Sequence, residues 1–320
     1  MKLAFLFPGQ GAQKVGMGRA LAQNHPDARE IYDWADRVLG YPLSTLCWSG
    51  PSEELRQSVH AQPALLTHSV AAWRLVDGAG LRPAWVAGHS LGEYSACVAA
   101  GALEFEDALR LVHRRGELMV QAGLDRPGTM AAVVGLERVA VETVCRDAAM
   151  AGVVQAANFN APGQVVISGE IPAVERACEL ARERGARRAI RLEVSGAFHS
   201  PLMAAAAEGL DRALDAVQVH KPSCPIVANV SAQPLHEADD IRAALKAQLL
   251  GAVRWEDSMR RLQEAGVEGY LELGTGTVLK GLLRTLDKQA PCWNVEDPDS
   301  LQATLGALGA PAGGAQGRES

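Results

Sequence analysis

Residues 85–96, WVAGHSLGEYSA, decide how this chain folds. The stretch begins with apolar residues typical of a strand, turns between Gly88 and Gly92, and continues with residues typical of a helix. Its centre, GHSLG, fits the GxSxG pattern of a nucleophile elbow, in which a serine is exposed on a tight turn between strand and helix. The pattern alone recurs by chance, and Ser90 is equally consistent with a residue that caps a helix beginning at Leu91.

The elements around the elbow predict a layered α/β core. The apolar run LAFLF at 3–7 predicts a strand covered on both faces, and PGQGAQ at 8–13 predicts a glycine-rich loop. The stretches 17–40 and 62–80 have apolar residues at helical spacing, and each ends at a glycine. Later signals are a helix at 203–217, strands at 225–230 and 269–274, and a closing helix at 278–286.

Residues 125–195 have a different pattern, which predicts a second, smaller domain. Its elements are a strand at 129–136, a helix at 137–150, strands at 153–159 and 164–169, a helix at 172–185 and a strand at 186–194. This βαββαβ order is the ferredoxin-like arrangement. We therefore expect a core of residues 1–124 and 196–304, an insertion of residues 125–195, and a small, polar, disordered tail at 305–320.

Composition excludes several classes of function. The chain has 31 basic and 37 acidic residues, a net charge of −6, without long runs of one sign, which argues against nucleic acid or an anionic membrane as partner. The six cysteines form no CxxC pair and no zinc spacing, so buried reduced thiols and a reducing cytoplasm are expected. The apolar run that stops at Pro8 is too short for a signal peptide. No apolar run approaches the roughly 20 residues of a membrane span.

A nucleophilic serine needs a base, and His199 is the best candidate among the eight histidines. It lies in VSGAFHSPLM, a loop of small residues where the chain returns from the small domain to the core, so its side chain can project into a cleft. A lone loop histidine is more often structural than catalytic. Its pairing with Ser90 is therefore a hypothesis at this point.

Two adjacent arginines follow the elbow helix in LVHRRGELM. Arg114 fits a solvated helix end. If Arg115 instead points under Gly116 into the cleft, its planar guanidinium could hold a carboxylate through two parallel hydrogen bonds. Such a site would select an acyl group with a free acid at its far end.

Together these motifs resemble those of the malonyl-CoA:acyl carrier protein transacylases, over nearly the whole chain. The matching motifs, in the order of that family, are FPGQGAQ at 7–13, QPALL at 62–66, GHSLGEYSA at 88–96, RG at 115–116, NFNAPGQVVISG at 158–169, GAFHSPLM at 196–203, VRW at 253–255 and ELGTGTVL at 272–279. The combination is far more specific than the elbow alone. The resemblance implies an α/β-hydrolase-like core with a parallel sheet and a ferredoxin-like insertion.

The same resemblance implies the roles of the reacting residues. Ser90 would be the nucleophile and His199 its base, oriented by the backbone carbonyl of Gln248 instead of a carboxylate. Backbone N–H groups of Gln10 and Leu91 would form the oxyanion hole, each such donor being worth about 3 kcal/mol.

Further positions of the family motifs concern the acyl group. Arg115 would bind the malonyl carboxylate, and Gln62 and Asn160 would line the site. Phe198, before the histidine in GAFHS, resembles malonyl-selective members and leaves little room for an α-methyl branch. A methyl group changes selectivity by only about 1 to 3 kcal/mol, so some transfer of methylmalonyl is expected.

The resemblance also implies the partners, malonyl-CoA and an acidic acyl carrier protein, and a ping-pong reaction without a metal or redox cofactor. Two basic patches are candidates for docking the carrier, although a solvated face explains either one equally well. The patches are Arg187, Arg188 and Arg191 within RERGARRAIR, and Lys280, Arg284 and Lys288, spaced four apart on a predicted helix face. We expect a monomer.

Three alternatives remain open from the sequence. A thioesterase or esterase could use the same elbow, although it would normally show a triad acid and has no need for Arg115. A non-catalytic assembly subunit would lack the serine or the histidine, and both are present. An acyltransferase dedicated to polyketide synthesis or to malonate decarboxylation would share the same motifs.

Overall fold

The computed structural model describes residues 1–311, which contain two β-sheets surrounded by helices. The strands, in chain order, are β1 (Leu3–Phe7), β2 (Trp85–Gly88), β3 (Gly128–Val134), β4 (Val154–Ala161), β5 (Gln164–Glu170), β6 (Arg188–Arg191), β7 (Ile226–Val227), β8 (Pro234–Leu235), β9 (Gly269–Leu273) and β10 (Cys292–Val295).

The α-helices occupy most of the remaining chain. In order they are α1 (Arg19–Asn24), α2 (Pro26–Leu39), α3 (Leu43–Ser49), α4 (Ser52–Leu55), α5 (Ser58–Gly78), α6 (Gly92–Ala99), α7 (Phe105–Asp125), α8 (Arg138–Ala148), α9 (Ile171–Glu183), α10 (Ala204–Ala216), α11 (Ala238–Gln248), α12 (Trp255–Glu264), α13 (Val278–Leu286) and α14 (Pro298–Leu308). No helix within residues 1–311 has both the length and the apolar character needed to cross a membrane.

The larger sheet has the strand order β10-β9-β1-β2-β7-β8, and all of its pairings are parallel except that of β7 with β8. The run LAFLF forms β1, and all five of its residues are buried because helices cover both faces of the sheet. Phe7 pairs with Gly88, so β1 and β2 end side by side. Their carboxyl ends therefore bring the glycine-rich loop and the elbow together.

The smaller sheet is antiparallel, with the order β4-β5-β3-β6, and it packs on α8 and α9 around a core of its own. This order is the ferredoxin-like arrangement that the βαββαβ pattern predicts. The predicted fold class, a parallel α/β core with a small antiparallel insertion, is confirmed. A bridge between Asn158 and Val253 connects the two parts beside the elbow.

Some boundaries differ from the sequence predictions. The helix predicted over 17–40 is two helices, because the chain is extended at His25 and restarts with Pro26 in the first turn of α2. The strand predicted at 225–230 is reduced to the two residues of β7. The disordered tail predicted from 305 begins too early, because α14 continues to Leu308 and buries Leu305. Residues 312–320 of that predicted tail lie outside the described residues.

The cysteines also differ in part from expectation. All six are free, but only four are buried, whereas Cys224 and Cys292 are half-buried.

Gly92 should be irreplaceable because α6 contacts the end of β1 at this residue. A Cβ atom on Gly92 would lie 2.0 Å from the Phe7 carbonyl oxygen, a backbone atom that cannot rotate away. We predict that Gly92→Ala lowers the free energy of unfolding by about 3 kcal/mol or more. Gly281→Ala, in α13 with open space around its Cβ, should instead raise it by up to about 1 kcal/mol. Urea denaturation measures both; equal effects would contradict this account of the elbow.

Candidate active site

Ser90 lies on a strained turn between β2 and α6, as the elbow pattern predicts. Its φ is 51°, and His199 has φ 56°, in the left-handed region that few residues other than glycine adopt. Asn229, just after β7, holds the turn: its Oδ1 accepts from the Ser90 N–H at 2.7 Å and its Nδ2 donates to the Gly88 carbonyl at 2.7 Å. No sequence motif points to Asn229.

Ser90 and His199 are in direct contact, although they are far apart in the chain. Ser90 Oγ lies 2.8 Å from His199 Nε2. His199 Nδ1 lies 3.0 Å from the Gln248 carbonyl oxygen and 3.1 Å from that of Gly251. Because both oxygens can only accept, Nδ1 carries the proton and Nε2 is free to accept from the serine. The predicted contact with Gln248 is therefore present, and the carbonyl of Gly251 is a second acceptor that sequence analysis missed.

His199 is neutral at pH 7. Burial, and then the nearby Arg115 charge, lower the pKa of His199 to about 3. A neutral imidazole with a free Nε2 can take a proton from Ser90 Oγ, as general-base activation of a serine requires.

Arg115 is almost completely buried, with 1% of its surface exposed, in the middle of α7 and not at a helix end. Its Nη1 donates to Gln62 Oε1 at 2.8 Å, and its Nη2 donates to Gln248 Oε1 at 3.0 Å and to Ser90 Oγ at 3.1 Å. It makes no ion pair within residues 1–311. The guanidinium also lies over the Tyr94 ring, 5.8 Å from its centroid. A buried cation held by neutral oxygens and an aromatic face, without an opposite charge, is costly, so the site favours an anion as ligand. Arg114, by contrast, pairs with Glu117 on the surface, as expected.

Gly116 explains how Arg115 reaches the site. A Cβ on Gly116 would lie 2.6 Å from the Ser58 carbonyl, so α7 crosses the start of α5 closely. This crossing brings Gln62 of α5 behind Arg115. Gln62 is fully buried and, contrary to the prediction, supports the arginine from behind and does not line the cavity.

Glu93, within GHSLGEYSA, fixes the orientation of Gln248, which contacts Arg115. Its Oε2 accepts from Gln248 Nε2 at 2.5 Å, and its Oε1 accepts from the Asn229 N–H at 3.1 Å. Gln248 Nε2 also donates to the Ser90 carbonyl at 2.9 Å. With its amide nitrogen used in this way, Gln248 turns its oxygen to Arg115. Burial raises the pKa of Glu93 to about 7.

The predicted oxyanion donors are adjacent to Ser90. A Cβ on Gly9 would lie 2.3 Å from the His89 carbonyl oxygen, so the glycine-rich loop packs directly on the elbow. Within residues 1–311, the N–H groups of Gln10 and Leu91 donate to no protein acceptor. The Ser90 N–H is already taken by Asn229, so it cannot contribute. Gln10 and Leu91 therefore keep donors for an oxygen that develops negative charge.

A cavity of about 540 Å³ opens beside Ser90, between the core and the small domain. Phe198 and Asn160 line it, as predicted. Asn160 Oδ1 accepts from His89 Nε2 at 2.8 Å, which fixes the ring of His89 in the cavity wall. The apolar part of the cavity wall includes Met119, Met130, Val166, Leu192, Val194, Val278 and Leu282. A serine with a base, oxyanion donors and a buried cation can together perform acyl transfer on an acid-bearing acyl group.

Known proteins share this fold over nearly the whole chain. Residues 4–296 match the family model described as acyl transferase domain. A malonyl CoA-acyl carrier protein transacylase of Bacillus subtilis is 46% identical over 308 residues, 96% of this chain and 97% of that protein. The structure of an acyl carrier protein S-malonyltransferase from Vibrio cholerae has a TM-score of 0.92 and 44% identity, covering 95% of this chain and 100% of that one. A malonyl-transacylase in complex with its type II polyketide synthase acyl-carrier protein has a TM-score of 0.93 and 41% identity, covering 96% and 100%.

Glu93 should make stability depend on pH. The folded protein holds a proton on Glu93 up to a pKa of about 7, whereas the unfolded chain releases it near 4.5, so the free energy of unfolding falls as pH rises between these values. We predict that Glu93→Gln reduces this fall between pH 5 and pH 8 by about 3 kcal/mol.

Urea denaturation at the two pH values measures the effect. Glu183→Gln, the same change at an exposed position on α9, should leave the pH dependence as it is in the wild type. An unchanged pH dependence in Glu93→Gln would show that burial does not hold a proton on this carboxyl.

Proposed function

The chain belongs to the malonyl CoA-acyl carrier protein transacylases of the acyl transferase domain family, and from that premise we propose the reaction that its site performs. The enzyme transfers a malonyl group from malonyl-CoA to the phosphopantetheine thiol of an acyl carrier protein, for fatty acid or polyketide synthesis. One observation carries the proposal: a buried guanidinium without a carboxylate partner within residues 1–311 lies 3.1 Å from the Ser90 hydroxyl. This distance fits an acyl group whose carboxylate binds Arg115 while its carbonyl carbon meets Ser90.

In the first half-reaction His199 Nε2 takes the proton of Ser90 Oγ, which forms a bond to the thioester carbon. The carbonyl oxygen becomes an oxyanion that accepts from the N–H groups of Gln10 and Leu91. The bond from carbon to sulfur then breaks, and the proton on His199 goes to the sulfur of coenzyme A. A malonyl ester of Ser90 remains.

In the second half-reaction the carrier thiol replaces coenzyme A. His199 takes the thiol proton, the sulfur attacks the ester carbon, and Ser90 leaves with the proton that His199 returns. The backbone carbonyls that face Nδ1 stabilise an imidazolium less than a carboxylate would, which suits a short-lived proton carrier.

A hydrolase is the competing function on the same elbow. Two observations favour the transferase: no carboxylate contacts His199 within residues 1–311, and the buried cation has no role in general ester hydrolysis. Rapid hydrolysis of malonyl-CoA in the absence of carrier protein would favour the hydrolase instead.

Selectivity against branched acyl groups is assigned to Phe198, which lies in the cavity wall next to His199 and is 6% exposed. An α-methyl group would meet this ring. Because one methyl changes binding by only about 1 to 3 kcal/mol, methylmalonyl-CoA should be a slow substrate and not an excluded one.

The carrier protein should dock at α13. This helix lines the cavity mouth through Val278 and Leu282, and Lys280 and Arg284 lie on it. Of the three residues of this predicted patch only two lie on the helix, because α13 ends at Leu286 and Lys288 lies beyond it. None of the three makes an ion pair within residues 1–311. In the other patch Arg191 pairs with Glu175 at 3.8 Å, but Arg187 and Arg188 are also without ion pairs in the described residues, so the position of α13 at the cavity favours it. Unpaired cations beside the mouth suit an acidic partner.

We further propose that the enzyme acts as a monomer in the cytoplasm. The free thiols of all six cysteines support a reducing compartment.

Intact-protein mass spectrometry after brief exposure to malonyl-CoA tests the reaction. We predict a malonyl adduct on the wild type and none on Ser90→Ala, because no other residue supplies the attacking oxygen. His199→Ala should form the adduct at least about a hundredfold more slowly, since the base is lost. Ser200→Ala, next to His199 in the same loop, is the control and should still form the adduct. An adduct that survives Ser90→Ala would contradict the assignment.

Carrier docking predicts a difference between two acceptors. The double change Lys280→Glu and Arg284→Glu should raise KM for acyl carrier protein about tenfold, and leave KM for free pantetheine unchanged. Arg74→Glu changes an exposed cation of α5 that makes no ion pair in the described part of the chain, and it controls for a general change of charge. The pair Arg187→Glu and Arg188→Glu tests the other patch. Equal losses with both acceptors would contradict docking at α13.

A further inference from the structure

We propose that Arg115 gates the nucleophile: in the empty site its guanidinium holds the Ser90 hydroxyl, and the substrate carboxylate releases the hydroxyl for attack. The inference rests on the proposed function and adds a second role to Arg115. Recognition of the carboxylate then changes the rate of the chemical step as well as substrate affinity.

In the empty site the two terminal nitrogens of Arg115 keep only one N–H group between them without an acceptor in residues 1–311. A guanidinium has two N–H groups on each terminal nitrogen. On Nη2 both are used, one by Gln248 Oε1 at 3.0 Å and one by Ser90 Oγ at 3.1 Å. On Nη1 one is used by Gln62 Oε1 at 2.8 Å. A carboxylate that binds both terminal nitrogens must therefore displace one acceptor from Nη2.

The two acceptors of Nη2, Gln248 Oε1 and Ser90 Oγ, differ in how firmly they are held. Gln248 is fixed, because its Nε2 donates to Glu93 Oε2 at 2.5 Å and to the Ser90 carbonyl at 2.9 Å, and the residue is 1% exposed. Ser90 Oγ keeps a second partner, His199 Nε2 at 2.8 Å, when it loses Arg115. The hydroxyl lies at the cavity wall and is free to turn. The carboxylate thus replaces Ser90 Oγ and not Gln248.

The hydrogen bond from Arg115 also affects the reactivity of Ser90. A hydroxyl oxygen that accepts a charge-assisted hydrogen bond has part of its lone-pair density engaged, and it is a weaker nucleophile. The Arg115 charge also lowers the pKa of His199, after burial itself, and so weakens the base. A bound carboxylate offsets that charge. Nucleophile and base therefore both become more reactive when the correct acyl group is present.

The chemistry of the step is unchanged by the gate. The N–H of Nη2 moves from Ser90 Oγ to a carboxylate oxygen, which breaks one hydrogen bond and forms another. The hydroxyl proton then goes to His199 Nε2, the bond from Oγ to carbon forms, and the bond from carbon to sulfur breaks. An acetyl thioester has no carboxylate, so it meets a hydroxyl that Arg115 still holds.

Supplying the substrate in two pieces tests the gate. Acetyl-CoA brings the reacting carbonyl, and formate brings the missing carboxylate. We expect formate to raise kcat for acetyl transfer by the wild type about fivefold or more, since it frees the serine from a charge-assisted hydrogen bond. Formamide, which has the same shape without the charge, should have no effect, and neither should chloride at the same ionic strength.

Variants place the effect at one residue. In Arg115→Met, whose apolar side chain is suited to a buried position, formate should not accelerate acetyl transfer. Arg114→Ala, the exposed neighbour on α7, should respond to formate as the wild type does. A urea transition measured for each variant shows that it is folded. The comparison of formate with formamide and chloride uses the wild type alone, so the test holds even if Arg115→Met does not fold.

The outcomes separate the gate from the proposed function. No acceleration by formate, or equal acceleration by formamide or in folded Arg115→Met, would overturn the gate. Malonyl transfer measured on the same preparation would remain in that case. Loss of malonyl transfer from the wild type would remove the proposed function and the gate together.

Discussion

The buried guanidinium of Arg115, held by the neutral oxygens of Gln62, Gln248 and Ser90, is the interaction on which this site depends. Burying a charge without an opposite charge costs several kcal/mol, and the fold bears that cost in the wall of the cavity beside Ser90. Glu93 contacts Arg115 only through the amide of Gln248, and burial raises the pKa of Glu93 to about 7, so it does not cancel the charge. The positive charge therefore remains available to a ligand.

The elements of the core meet at that charge and at the serine beside it. Asn229 after β7 and Glu93 on α6 hold the elbow, and Gln248 at the end of α11 contacts both Arg115 and His199. Ser90 and His199 lie on backbone with positive φ, a conformation that persists only where surrounding contacts enforce it. Fold and site are thus coupled: the contacts that maintain the strained elbow also orient the base and the cation.

Local patterns predicted much of this structure because they depend on neighbouring residues. LAFLF and VLKGLLRTL match β1 and α13, and the βαββαβ order matches the small sheet. Ser90, His199 and Arg115 were found through motifs. Asn229, Glu93 and the supporting role of Gln62 were not, because their roles arise from contacts with residues distant in sequence, as between Gln248 and Glu93. The two-residue β7 carries too short a pattern to define its length.

The proposed selection of the acyl group by an unpaired buried charge can be measured directly in one competition. Wild-type enzyme is exposed briefly to equal amounts of malonyl-CoA and malonamyl-CoA, whose terminal amide has the shape of the carboxylate without its charge. Intact mass distinguishes the two Ser90 adducts. The account predicts that malonyl exceeds malonamyl by about a hundredfold, in keeping with a buried, charge-assisted pair of hydrogen bonds. Nearly equal loading would show that shape, and not the charge of Arg115, determines the choice.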